Sequence, residues 1–337
     1  MKIDYGDICT GISAASVAWG PLGFKPAWFS EIEKFPCEVL KHHWPHVPNL
    51  GSMLSITDKI VLGGVKPPLI LVGGTPCQAF SIAGKQLGLD DERGQLTLAY
   101  VDIMNAIDNE RGEGDECVCV WENVPGVLSD KGNAFGYFLA KLAGEDSPLV
   151  APGPKWSNAG CVFGPQRSIA WRVMDAQYFG VAQRRRRVFL VASARKGFDP
   201  TKVLFEFEGV RRDFKPRHTD QTAIDTGSTT PRAFDMLGFG QYGNGTTANT
   251  LKARDYKDAT LLCLQDGRVR KLLPKEYARL QGFPDNHCAL GTDAEQYKAY
   301  GNSMAVPCMA WIGKRLKQEL GKNAKTSPRK RHRKVSG

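Results

Sequence analysis

No apolar run in the 337-residue chain approaches the ~18 residues that a membrane span needs. Residues 1–7 lack the basic start and apolar stretch of a secretory leader, so a cytoplasmic protein without membrane attachment is expected. The nine cysteines include no Cys-x-x-Cys pair. Neither a structural metal nor a disulfide framework is expected, and most thiols read as small core residues of a reduced protein. Positive charge outside the C-terminal end is also scarce. The net charge of +10 concentrates in residues 314–337, which hold ten Lys or Arg and one acid, leaving thirty-five bases against thirty-four acids elsewhere. A nucleic-acid surface must therefore come from local clusters such as Arg184-Arg185-Arg186-Arg187.

What is present is the alternation of an α/β protein. Apolar runs at 2–8, 26–29, 68–72, 116–121 and 188–192 read as strands of a mostly parallel sheet. Helical patterns lie between them at 13–19, 36–43 and 96–108. Residues 1–197 read as one domain with a Rossmann-like sheet. Residues 198–270 change character, rich in Gly, Thr, Asp and Arg, with four glycines in 238–245; they read as a small irregular or β-rich domain. Helical periodicity returns at 272–280, closed by Gly282 and Pro284, and again at 304–320, so 271–320 completes the first domain. Residues 321–337 are polar and basic and read as a disordered tail.

The chemistry concentrates in two segments. Gly73-Gly74-Thr75-Pro76-Cys77-Gln78-Ala79-Phe80-Ser81 follows an apolar strand, so Cys77 should stand at the carboxyl edge of the sheet, where α/β proteins bind ligands. A cysteine in that setting suits a thiolate nucleophile; an inert buried thiol is the alternative. Glu122, in Trp121-Glu122-Asn123-Val124-Pro125-Gly126, also ends a strand and should open on the same edge. A partly desolvated carboxyl there can share or donate a proton near neutral pH, although a loop or capping acid fits it equally when taken alone.

Together these segments resemble the DNA cytosine-5 methyltransferase family of phage and prokaryotic type, and the likeness extends over most of the chain. Gln183-Arg184-Arg185-Arg186-Arg187 matches that family's Gln-x-Arg-x-Arg motif. Arg270-Lys271-Leu272 with Glu276, Ala278-Arg279 and Gly282-Phe283-Pro284-Asp285 is similar to its next motif, and residues 297–307 with Gly301-Asn302-Ser303 to its last. The order of the motifs is the family's.

The resemblance implies a mechanism. Cys77 would add to C6 of a cytosine flipped out of duplex DNA and make C5 nucleophilic towards a methyl group from S-adenosylmethionine. Glu122 would hold the N3 and amino edge, Arg187 would contact the base carbonyl, and Arg185 would help position the site. DNA contacts are implied for Gln78, Ser81, Lys85 and Arg93, the last three in a glycine-containing stretch, 79–95, read as a loop that closes over DNA.

Cofactor residues implied by resemblance are Asp7, Cys9, Gly11, Ile12, Glu31, Ile32, Pro76, Asn302 and Ser303. The chain departs from the family where Ser13 and Ala14 replace a Gly-Gly pair, and where Gly51-Ser52-Met53-Leu54 lacks an acid. Glu31, twenty residues after Gly11, suits ribose hydroxyls. Trp19 and Trp28 read as core. The 198–270 region corresponds to the family's target-recognition domain. Arg254 could read guanine there or pair with Asp255 or Asp258.

A monomeric enzyme on duplex DNA is the expectation. An RNA-directed relative would carry a Cys-Phe-Thr signature, which 198–270 lacks. A DNA-binding regulator would have lost Cys77 or Glu122, and an NAD-dependent oxidoreductase would need a fuller Gly-x-Gly-x-x-Gly. Restriction-modification, solitary regulation and phage genome protection all remain compatible with these residues.

Overall fold

Apolar side chains alternating at period two on both faces of successive strands require a sheet covered by helices on each side. The computed structural model shows this arrangement and describes residues 2–76, 92–206, 232–238, 241–245, 248–255, 261–265 and 268–326. Cys77, Gln78, Ser81, Lys85 and the tail from 327 onward lie outside the described residues.

Strands β1 (Asp4–Ile8), β2 (Lys25–Ser30), β3 (Ile70–Gly73) and β4 (Val118–Asn123) pair in parallel. β5 (Ala159–Phe163), β6 (Ser168–Asp175) and β7 (Arg186–Ser193) continue the sheet antiparallel, in the order β2-β1-β3-β4-β7-β6-β5. The strand expected at 188–192 lies within β7 and is antiparallel to β4, where the α/β alternation implied a parallel one. β6 and β7 are joined by a short segment with one 3₁₀ turn, Ala176–Tyr178, and not by a crossover helix, so they run antiparallel to each other.

The helices are α1 (Ala14–Trp19), α2 (Lys34–His43), α3 (Ile56–Val61), α4 (Glu92–Arg111), α5 (Ala134–Ala143), α6 (Pro200–Leu204), α7 (Pro274–Gln281), α8 (Asp293–Asn302) and α9 (Val306–Thr326). Tyr5, Val72, Val120 and Val191 face a core shared with α1, α7 and α9, while Ile8, Leu71, Cys119 and Leu190 face a second core under α3, α4 and α5. Trp19 and Trp28 are fully buried, as expected. Gly6 makes room for the latter, since a Cβ there would stand 2.2 Å from the Trp28 ring. Helix α4 begins at Glu92, so the stretch expected as a loop to residue 95 is already helical over its last four positions.

Within the region expected to be irregular or β-rich, β8 (Arg232–Gly238), β9 (Gln241–Gly245), β10 (Leu261–Gln265) and β11 (Arg268–Lys271) form an antiparallel sheet in the order β11-β10-β8-β9. The flanking segments belong elsewhere: Phe198, Val203, Leu204, Ala248 and Leu251 are buried in the first core. Among the described residues, no helix is long and apolar enough to cross a membrane, and no His, Cys, Asp and Glu group is arranged to hold a metal ion.

Candidate active site

Parallel strands deliver their carboxyl ends to one edge of the sheet, and β1 to β4 do so here. An antiparallel neighbour of β4 must start at that edge. Asn123 pairs with Val188 and Glu122 with Phe189, so the first residues of β7 lie beside the last of β4. Arg187 Nε is 3.1 Å from Glu122 Oε1, with the two side chains 15% and 13% exposed. Partial exclusion of water strengthens such a pair relative to a surface one. The pairing orients the carboxylate while leaving its second oxygen to face Gly74, where a Cβ would lie 3.1 Å from Oε2.

The chain leading to Cys77 is fastened to β4. Asn123 Nδ2 donates to the Thr75 carbonyl at 2.9 Å, and the Trp121 indole donates to Thr75 Oγ1 at 3.2 Å. Gly74 passes so close that a Cβ would stand 2.7 Å from the Glu122 carbonyl oxygen. Thr75 is buried and Pro76 is exposed. Sequence reasoning gives Thr75 and Asn123 no role, although both stand inside the motifs above; their contribution depends on the pairing of β3 with β4.

The four consecutive arginines separate by direction. Arg184 and Arg186 are exposed, Arg187 meets Glu122, and Arg185 is buried. The Arg185 guanidinium donates to the carbonyls of Leu251, Gly301 and Ser303 at 3.2, 3.0 and 2.6 Å, leaving its buried Nε without a hydrogen-bond partner. Burial, with Arg187 close by, lowers its pKa to about 9, so it is charged at neutral pH. Gln183 joins the same junction, donating to Leu280 and accepting from the Leu251 amide. Arg185 therefore ties the start of β7 to two distant segments, at 251 and at 301–303, beneath the edge. Arg254 is exposed, whereas neighbouring Asp255 is buried and accepts from the Lys252 amide and the Tyr277 hydroxyl. Arg93 lies in the first turn of α4.

At the other end of the edge, the loop after β1 carries left-handed backbone at Cys9 (φ 48°), Gly11 (φ 55°) and Ser13 (φ 53°). Ser13 keeps by its hydroxyl a geometry that glycine would adopt freely: its Oγ donates to Asp7 at 2.9 Å and accepts from the Ser16 amide. Asp7 is buried beneath the loop, and burial holds its carboxyl well above the usual range. Burial also pushes the Cys9 thiol up to about 12, and its Sγ lies 3.7 Å from Met53 Sδ. Glu31 accepts from the amides of Gly11, Ile32 and Glu33 at 2.7 to 2.9 Å. Ile32 is 74% exposed, Asn302 is exposed at the end of α8, and Ser303 is buried with its carbonyl on Arg185.

These residues fit a nucleoside-type cofactor. Nothing lies within 4 Å of where a Gly11 Cβ would stand, so the loop faces open space beside the apolar Ile32. A carboxylate has about four lone-pair sites, so Glu31 retains capacity for a ribose hydroxyl. A helix-covered sheet with a parallel core, a strained loop after β1, a carboxylate after β2 and Glu122 of β4 paired with Arg187 of β7 fits the Rossmann-like class of S-adenosylmethionine-dependent methyltransferases.

The profile of the family described as C-5 cytosine-specific DNA methylase matches residues 3–238 and 217–318. The chain belongs to this family, whose members act on DNA and take the methyl group from S-adenosylmethionine. It is 41% identical to a "DNA N-6-adenine-methyltransferase" of Escherichia phage P1, over 94% of this chain and 61% of that protein, so it spans under two thirds of that relative. It is 30% identical to the type II methyltransferase M1.ScrFI of Lactococcus lactis subsp. cremoris, over 89% of this chain and 74% of the relative. In fold it is similar to the methyltransferase EhMeth of Entamoeba histolytica, with a TM-score of 0.67 at 15% identity, covering 95% of this chain and 99% of the other.

Proposed function

We propose that this chain methylates C5 of a cytosine flipped out of duplex DNA, with Cys77 as nucleophile. The observation that carries the reading is the Glu122–Arg187 pair, set on the edge to which the Thr75 clamps fasten the chain entering Cys77. When bound, S-adenosylmethionine would supply an electrophilic methyl group, and Asp7, Cys9, Gly11, Ile12, Glu31, Ile32, Pro76, Asn302 and Ser303 would hold it. The Cys77 thiolate bonds to C6, which raises electron density at C5. Glu122 holds N3 and the exocyclic amine, and Arg187 meets the base carbonyl and keeps Glu122 oriented. After C5 is methylated, its proton is lost to a base, the C6–S bond breaks and the thiolate is regenerated. Arg185 acts through the segments it fastens.

The four-stranded sheet and the exposed Arg254 serve target recognition, with Gln78, Ser81, Lys85 and Arg93 on the DNA. The proposed form is a cytoplasmic monomer acting on the nucleoid. A second reading, transfer to the N6 of adenine, is favoured by the name of the phage P1 relative. Transfer from labelled S-adenosylmethionine to duplex DNA, followed by digestion to nucleosides, decides between them. The expected product is 5-methylcytosine, absent with Cys77→Ser. Label on adenine that survives this substitution would establish the second reading.

A further inference from the structure

We infer that His287 is a positioning residue for the cofactor loop, acting through the backbone carbonyl of Ile12; this rests on the reading of residues 9–13 and Glu31 as the S-adenosylmethionine site. His287 Nε2 is 2.9 Å from the Ile12 carbonyl oxygen, a contact that joins residues 275 positions apart. A carbonyl only accepts, so the imidazole donates and carries its proton on Nε2. The ring is 3% exposed, and burial lowers its pKa to about 4, which keeps it neutral.

The ring is itself immobilised. It stacks on His43 with centroids 4.3 Å apart and an interplanar angle of 5°, and Phe283 closes on it at 4.8 Å. His43 Nε2 in turn meets the His287 carbonyl at 2.8 Å. Two donations, His43 to the His287 carbonyl and His287 to the Ile12 carbonyl, therefore run from the end of α2 through the segment after α7 to the loop after β1. Helix α2 begins three residues after Glu31, and Glu31 accepts the Gly11 amide. The loop is thus held from both sides of Gly11, by Glu31 at residue 11 and by His287 at residue 12.

Such a hold has a purpose here. The loop carries two left-handed residues that are not glycine, Cys9 and Ser13, a backbone state that L side chains adopt at a cost. The amide of the peptide between Ile12 and Ser13 donates to the Thr10 carbonyl at 3.0 Å, and His287 holds its carbonyl from the other side, which fixes the orientation of that peptide beside Gly11.

The test measures S-adenosylmethionine binding to the full chain by calorimetry, beside methyl transfer. His287→Phe keeps a ring in the stack and removes the donor; His287→Gln restores an N–H near the same place. Loss of one buried donor predicts about ten-fold weaker cofactor binding for the Phe variant, a raised KM for the cofactor, an unchanged kcat, and binding within three-fold of the parent for the Gln variant. Equal binding by the parent and the Phe variant overturns the inference alone. Equal weakening by both substitutions also overturns it, since packing and not donation is then responsible. A parent that binds no S-adenosylmethionine overturns the functional reading with it. Should the Phe variant fail to fold, ¹⁵N-histidine spectra of the parent decide: a protonated Nε2 resonance that moves on cofactor addition is expected, and one that stays fixed overturns the inference.

Discussion

The Arg187 guanidinium lies 3.1 Å from the Glu122 carboxylate because β7 runs antiparallel to β4. Had β7 been a fifth parallel strand, its first residues would have emerged at the opposite edge, remote from Glu122 and from the chain entering Cys77. One reversed strand thus joins the two motifs that the proposed chemistry needs together.

That relationship predicts coupling. Glu122→Gln and Arg187→Ala should each lower single-turnover methyl transfer by about 10²–10⁴-fold, the range for a positioned acid–base group. The double variant should fall by much less than the product of the two effects, because each substitution disables the other partner. Rates from rapid-quench measurements check this, and strictly multiplicative losses would show that the two side chains act independently.

Arg185 predicts an effect on stability. Arg185→Met removes donors to three buried carbonyls, each left unsatisfied at about 1–3 kcal/mol, offset in part by relief of a buried charge. A net loss of about 3 kcal/mol is expected. Arg185→Lys should recover little of it, because an ammonium cannot reach three diverging acceptors as the planar fork does. Denaturant unfolding measures both, and a Met variant as stable as the parent would contradict the role as a junction.

His287 predicts a pH dependence. Its folded pKa, about 4, lies below the ordinary 6.5, chiefly through burial, with His43 and His42 adding repulsion. On acidification the unfolded chain takes up a proton near pH 6.5 that the folded chain refuses until about 4. Stability should therefore fall as pH drops through that window. His287→Phe should flatten the profile by up to about 1.4 kcal/mol per pH unit. Unfolding free energies at pH 4.5, 5.5 and 7 provide the check, and identical slopes for parent and variant would exclude this group as the source.

Much of this architecture is legible in local chemistry. The runs at 2–8, 26–29, 68–72 and 116–121 are strands because apolar side chains alternate between two buried faces, and all four run parallel as expected. Trp19 and Trp28 reveal their burial by lying in such patterns. The motif around Pro76-Cys77 and the one around Glu122 each follow an apolar strand, and that position alone assigns both to a carboxyl edge.

The direction of β7 was not legible, since an apolar run carries no mark of whether its strand pairs parallel or antiparallel with its neighbour. The distinct roles of Arg185 and Arg187 were not either: four identical side chains in a row carry no mark of which turns inward. That choice was made by the carbonyls of Leu251, Gly301 and Ser303, which converge beneath β7 only when the chain's last third returns to the first core. His287 stayed silent for the same reason, as its partner is a backbone carbonyl, which every residue has, and Thr75 because Trp121 and Asn123 come beside it only when β3 pairs with β4. The sequence by itself determined the parallel core strands, the family and the residue types available for chemistry, but not β5 and β6. Only the tertiary structure decided which of them face one another, because hydrogen bonds to backbone carbonyls and the direction of a strand are set by long-range packing and leave no residue-specific signature.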